Sequence, residues 1–319
     1  KNNLSWPGDG QRLFLALKPL TALRWLKDKP NKNKPADTIA VYSQNAILRE
    51  RGVDIWHWKD PYIIPHQKKM WNRKKTRTMT SVFHLQDKKT VMIADTLIPS
   101  LHHNGNKQTA LLSSNNPYRR EITWDGRYSD YYTVNLESGK KKKFLSHYSG
   151  WVSLSPGGKY AAYYRDKQYY LYEIETGKTI NLTGAISVSF HNVDNDYPRK
   201  PGGYGIAGWM EDDKAILIYD KFDIWKFTTA TGSAQNLTGS FGRKNQVQLR
   251  IERLDNKKDR YTEGDRLLLE GYNTKEKQTW FFSLELGKKR LRKRTSGNKK
   301  FSALAHAEHG DAILYTRES

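Results

Sequence analysis

A recurring strand constrains this chain more than any other feature. Tyr131-Tyr-Thr-Val-Asn-Leu-Glu-Ser-Gly139, Tyr169-Tyr-Leu-Tyr-Glu-Ile-Glu-Thr-Gly177, Asp223-Ile-Trp-Lys-Phe-Thr-Thr-Ala-Thr-Gly232 and Thr279-Trp-Phe-Phe-Ser-Leu-Glu-Leu-Gly287 each run as an aromatic-rich, alternating segment into a glycine. The glycines lie 38, 55 and 55 residues apart. Self-similarity at such a period marks a repeat architecture built from one supersecondary unit. Two copies continue identically, as Asn181-Leu-Thr183 and Asn236-Leu-Thr238. Alternation gives a strand with one wet face, and glycine supplies the left-handed dihedral of a tight turn. The four glycines are therefore expected at equivalent hairpin turns, some with positive φ.

A polar turn feeding a short apolar strand precedes most of these hairpins. Examples are Pro7-Gly-Asp-Gly10, Ser155-Pro-Gly-Gly158, Glu211-Asp-Asp213, Glu263-Gly-Asp265 and His309-Gly-Asp311. The apolar run reads as a central strand buried on both faces, and its alternating partner as an outer strand. Two hairpins make a four-stranded unit that cannot cover both of its own faces, so copies must stack, and radial stacking gives a β-propeller. The expected fold is all-β: a propeller of four-stranded antiparallel blades, about six to seven at roughly 45 residues each, with a ring that need not be complete. Residues 1–319 read as one propeller domain, with 27–80 as an irregular insertion. Asp54-Ile-Trp-His-Trp58 and Val82-Phe-His-Leu85 are expected as a further strand pair, and Thr38 to Glu50 as the one short helix.

Hydrophobic residues make up 37% of the chain while 10 Trp and 19 Tyr lift the aromatics to 12%, so the core is built from rings. The longest apolar run is about five residues against the roughly 20 of a membrane span, so no span is expected. With 55 Lys plus Arg against 33 Asp plus Glu, the net charge of +22 favours anionic partners. The absence of cysteine excludes disulfides, thiolate metal sites and a Cys nucleophile. Lys1-Asn-Asn-Leu-Ser-Trp-Pro7 lacks the charged and apolar regions of a signal peptide.

Leu154-Ser-Pro-Gly-Gly-Lys-Tyr160 followed by Tyr170-Leu-Tyr-Glu-Ile-Glu-Thr-Gly177 resembles the blade repeat of TolB-like propellers and of the propeller domain of prolyl oligopeptidase family serine peptidases. Val53-Asp-Ile-Trp-His-Trp-Lys-Asp-Pro61 and Ala312-Ile-Leu-Tyr-Thr-Arg-Glu-Ser319 resemble segments of large Bacteroidota-type members of that peptidase family. The resemblance implies a non-catalytic propeller that gates short peptides into a C-terminal α/β-hydrolase domain outside this chain. That domain and a peptide substrate would then be its partners, and the setting periplasmic or secreted. A stand-alone TolB-like propeller binding a protein or an anionic polymer is the rival reading. Catalysis in the peptidase family needs a Gly-x-Ser-x-Gly elbow. None occurs here, nor does the Glu-Glu pair that the dipeptidyl peptidase branch uses to hold a substrate amino terminus. No catalytic, cofactor-binding or metal residues are therefore expected, and no cofactor.

Other signals take structural readings. Lys288-Lys-Arg-Leu-Arg-Lys-Arg294 and Lys140 to Lys143 follow turn glycines, where they suit solvated edge strands rather than a specific nucleic-acid groove. His102-His103, His57 and His66 lack metal-ligand spacing. The acidic turns lack the ligand ladder of a calcium loop. The sequons at Asn181 and Asn236 belong to the repeat, and a third begins at Asn3. Gly202-Gly-Tyr-Gly-Ile-Ala-Gly208 precedes a strand, so no nucleotide cradle is expected. Trp151, Trp209 and Trp280 are expected to pack between blades.

Overall fold

A computed structural model describes residues 4–7, 10–18, 56–75, 77–106, 108–253, 260–288, 290–307 and 312–318. The chain divides into two compact units, Lys1–Ser149 and Gly150–Ser319. Residues 27–55 of the expected insertion, with the helix expected at 38–50, the turn at 309–311 and the sequon at Asn3 lie outside the described residues, as does part of the 7–10 turn.

In the first unit, β1 (Arg12–Leu17), β2 (Met79–His84) and β3 (Lys89–Met92) form a three-stranded antiparallel sheet. β4 (Ser100–His102), β5 (Thr109–Ser114), β6 (Ser129–Asn135) and β7 (Lys141–Tyr148) form a four-stranded meander. Phe14, Val82, Val91, Ile93, Ala110, Leu112, Val134 and Leu136 from the two sheets share one core.

In the second unit the meander recurs. Its sheets are β8 (Val152–Leu154) to β11 (Thr179–Asn181) through β9 (Tyr160–Arg165) and β10 (Gln168–Glu173); β12 (Ile206–Trp209) to β15 (Ala234–Asn236) through β13 (Ala215–Tyr219) and β14 (Ile224–Thr228); and β16 (Val247–Ile251) to β19 (Arg290–Lys293) through β17 (Arg266–Asn273) and β18 (Thr279–Glu285). β20 (Lys300–His306) pairs with β21 (Ile313–Glu318). Strand β13 explains the apolar run Ala215-Ile-Leu-Ile-Tyr219: Ile216 and Ile218 enter the core shared with β9 and β10, while Ala215, Leu217 and Tyr219 enter the core shared with β17 and β18. A sheet with a neighbour on each face has no wet side, and burial of each such side chain contributes about 1.5–3 kcal/mol.

All four repeat glycines lie between the third and fourth strands of successive four-stranded sheets, at φ of 72° (Gly139), 79° (Gly177), 72° (Gly232) and 85° (Gly287). The expected register holds. After the fourth strand, Asn181 and Asn236 turn the chain by accepting backbone N–H bonds from the residues that follow, while Leu182 and Leu237 are buried. The repeated Asn-Leu-Thr is thus a turn device.

Three expectations need correction. Residues 56–58 are not a strand: Asp60 accepts the His57 N–H and His57 Nδ1 accepts the Lys59 N–H, closing a turn, and β2 pairs with β1 and β3 instead. A helix unforeseen in the sequence, α1, covers Ile64–Lys75 within the supposed irregular insertion. It has Pro65 in its first turn and then Gln, Lys, Met and Arg, good helix formers without an apolar stripe to reveal them. Trp209 and Trp280 are buried as expected, but Trp151 precedes β8 and is 71% exposed. No helix among the described residues is long and apolar enough to cross a membrane.

Candidate functional site

The 3-10 helix Asn116–Thr123, which joins β5 to β6, organises the chemistry of the first unit. Side chains three apart eclipse in a 3-10 helix. Tyr118 and Glu121 therefore point one way, and Asn116 and Arg119 another.

On the Tyr118 side, register slips where β6 meets β7, and His147 takes φ of 48°. The extra residue makes a bulge that re-aims its ring. The His147 N–H donates to the buried Asp130 carboxylate, which also accepts the Tyr118 hydroxyl and Lys143 Nζ. Burial alone raises the Asp130 pKa, but these donors outweigh it and hold the carboxyl below its ordinary value. Burial, with Asp130 opposite, pushes Tyr118 up to about 12. The His147 ring stacks on Tyr128 at 3.8 Å and contacts Glu121 Oε2 at 2.7 Å. Asp125 completes a group whose donor atoms lie within 4.8 Å of one another. A first-row cation needs its ligands about 2.0–2.2 Å from a common centre. His147 and Glu121 bond each other directly at 2.7 Å, with Asp125 exposed beside them.

On the other side lies a groove of about 380 Å³ lined by Trp58, Lys59, Pro61, Asn116, Pro117, Arg119 and Arg120. Arg119 Nη2 donates to Asn116 Oδ1, and the guanidinium lies 5.5 Å from the Tyr62 ring centre. Tyr62 in turn stacks on His66 of α1 at 4.6 Å, with planes 7° apart. Arg119 Nε is buried without a partner. Partial burial, then repulsion from Arg119 and Arg73, lowers the pKa of Arg77.

In the second unit the polar site at Asp213 is structural. The buried Asp213, which precedes β13, accepts Ser155 Oγ at 2.6 Å, Gly157 N–H at 2.8 Å and Lys159 N–H at 3.2 Å. It ties the turn before β9 to the next sheet. A nearby pair is also buried: Asp220 takes Arg243 at 3.1 Å, while Asp223 accepts Thr238 Oγ1 and the N–H groups of Gly242 and Arg243. Burial, reinforced by the Asp220 charge, nevertheless raises the Asp223 pKa.

The sequence-level candidates stay apart. His102 bonds to Ser113 Oγ, His103 stacks on Phe14, and burial lowers both imidazole pKa values. The basic runs fall on β7 and β19, each the outermost strand of its sheet. His147 and Arg119 are unmarked in the sequence, and Asp213 reads there only as part of a turn: a bulge, a groove joining residues 58 and 119, and a bond spanning 58 residues leave no local pattern.

No family model and no curated protein matches the chain. Among solved structures it is similar to TolB from Acinetobacter baumannii, at 12% identity over 99% of this chain and 76% of that one, with a TM-score of 0.34. Porphyromonas gingivalis dipeptidyl peptidase 4 shares 10% identity over 75% of this chain and 40% of its own, with a TM-score of 0.42. The corresponding figures for Pyrococcus horikoshii acylaminoacyl peptidase are 10%, 99% and 41%, with a TM-score of 0.37. The chain spans about two fifths of each of these two peptidases.

Proposed function

We propose that the chain is the non-catalytic propeller of a prolyl-oligopeptidase-like serine peptidase, gating short peptides into a hydrolase domain encoded beyond it. The observation that carries this reading is the blade unit itself: the four-stranded meander recurs along the chain, the β12–β15 sheet buries both faces, and the Ser155-Pro-Gly-Gly-Lys159 turn is clamped by Asp213 of the following sheet. The lack of Gly-x-Ser-x-Gly agrees with a regulatory half. The matching compartment is the periplasm or the exterior. The rival, a stand-alone binding propeller for an anionic partner, draws on the cationic groove at Arg119. Reading the gene past Ser319 and assaying its full product decides between them. Continuation into a Gly-x-Ser-x-Gly domain that cleaves short chromogenic peptides, with this chain alone inert, is expected; a stop codon at that point would sink the peptidase reading.

A further inference from the structure

We propose that the groove between residues 58–61 and the 3-10 helix is a binding site for a small ligand that joins a flat ring to a phosphate or carboxylate group. The inference holds whichever reading of the propeller is right.

The walls supply both halves of such a ligand. Arg119, Arg120 and Lys59 line the groove, and among the described residues no carboxylate does. The acids adjoining the lining residues in sequence are engaged elsewhere, Asp60 accepting the His57 N–H and Glu121 contacting the His147 ring. Isolated surface cations are ordinarily solvated, but Arg119 is not simply so: its guanidinium is laid on the Tyr62–His66 stack and fixed by Asn116, while Nε stays buried and without a partner. A held guanidinium presents a fork matched to carboxylate or phosphate oxygens. Trp58 provides the flat half: its indole is 66% exposed with Lys59 Nζ 5.0 Å from the ring centre, and Pro61 and Pro117 add apolar wall. A volume near 380 Å³ lies within the roughly 300–1,000 Å³ of small-molecule sites.

Calorimetric titration of the whole chain with AMP and with indole-3-acetate tests the ring-plus-anion class and separates phosphate from carboxylate. Adenosine and inorganic phosphate serve as the half-ligands for AMP, and indole and acetate for indole-3-acetate. At least one complete ligand is expected to saturate the protein with a Kd of about 1 mM or tighter and to bind about tenfold more tightly than its halves. Arg119→Lys, which keeps charge but loses the fork, and Trp58→Ala, at an exposed position that leaves folding intact, should each weaken it about tenfold. Arg290→Met on β19 should not. No saturation by either complete ligand, half-ligands binding as well as the whole, or unchanged affinity in both groove variants would overturn the site.

Discussion

Asp213 shows how much one side chain can hold. Its carboxylate takes three donors from Ser155, Gly157 and Lys159, and a Cβ added at Gly157 would sit 2.6 Å from Oδ2. Removing it leaves buried donors unpaired, at about 1–3 kcal/mol each, so Asp213→Ala should lower stability by roughly 3 kcal/mol in urea unfolding. Gly157→Ala displaces the same carboxylate and should cost about 1–3 kcal/mol. Because both changes break one clamp, the double variant should lose less than the sum, by about 1 kcal/mol. Additive losses would mean that the clamp is not a unit. Tyr118 gives a second test at this scale. Its folded pKa, about 12, lies above the ordinary tyrosine value of 10.0, so its stabilisation is complete below pH 10 and is lost as the pH rises towards 12. Subtracting the phenolate absorbance titration of Tyr118→Phe from that of the parent should leave one step near pH 12; a step near 10 would contradict the Tyr118–Asp130 bond.

At the scale of the element, the turn glycines serve twice. Gly139 has φ of 72°, and a Cβ there would meet Val91 Cγ1 of the neighbouring sheet at 2.9 Å; Gly239 has φ of 61° with nothing within 4 Å. Alanine at either position incurs about 1 kcal/mol of left-handed strain, and at Gly139 overpacking adds about 1–3 kcal/mol. Chemical denaturation should therefore show Gly139→Ala clearly more damaging than Gly239→Ala, and equal losses would remove close sheet contact from the account. These turns were legible in the sequence because a period-two strand ending in glycine is a local signal, and the same holds for β13 with its unbroken apolar run. Helix α1 was not, since it forms from propensity without an amphipathic stripe. The aromatic alternation Trp56-His57-Trp58 imitated a strand because the competing side-chain bonds from Asp60 and His57 have no periodicity. The candidate groove was illegible for a further reason: it exists only once the 3-10 helix brings Arg119 beside Trp58, and each half alone reads as a solvated surface.

At the scale of the whole molecule the governing fact is the charge of +22. Its densest runs lie on β7 and β19, outermost strands where lysine and arginine discourage further strand pairing. Several of these cations are engaged already: Lys141 pairs with Asp95, Lys143 with Asp130, and Lys293 Nζ lies 3.4 Å from the Trp280 ring centre. These contacts lower the charge offered to a polyanion. Duplex DNA should accordingly bind with a Kd of about 10⁻⁴–10⁻⁶ M at physiological salt, with log K falling by about 0.9 per phosphate contact for each unit of log salt. Fluorescence anisotropy with two duplexes of unrelated sequence should give one affinity, unchanged by Arg119→Lys, because the duplex reads diffuse charge whereas the groove holds a single small anion. A sequence preference beyond about tenfold would contradict that division, since it requires base contacts that a solvated edge strand does not supply.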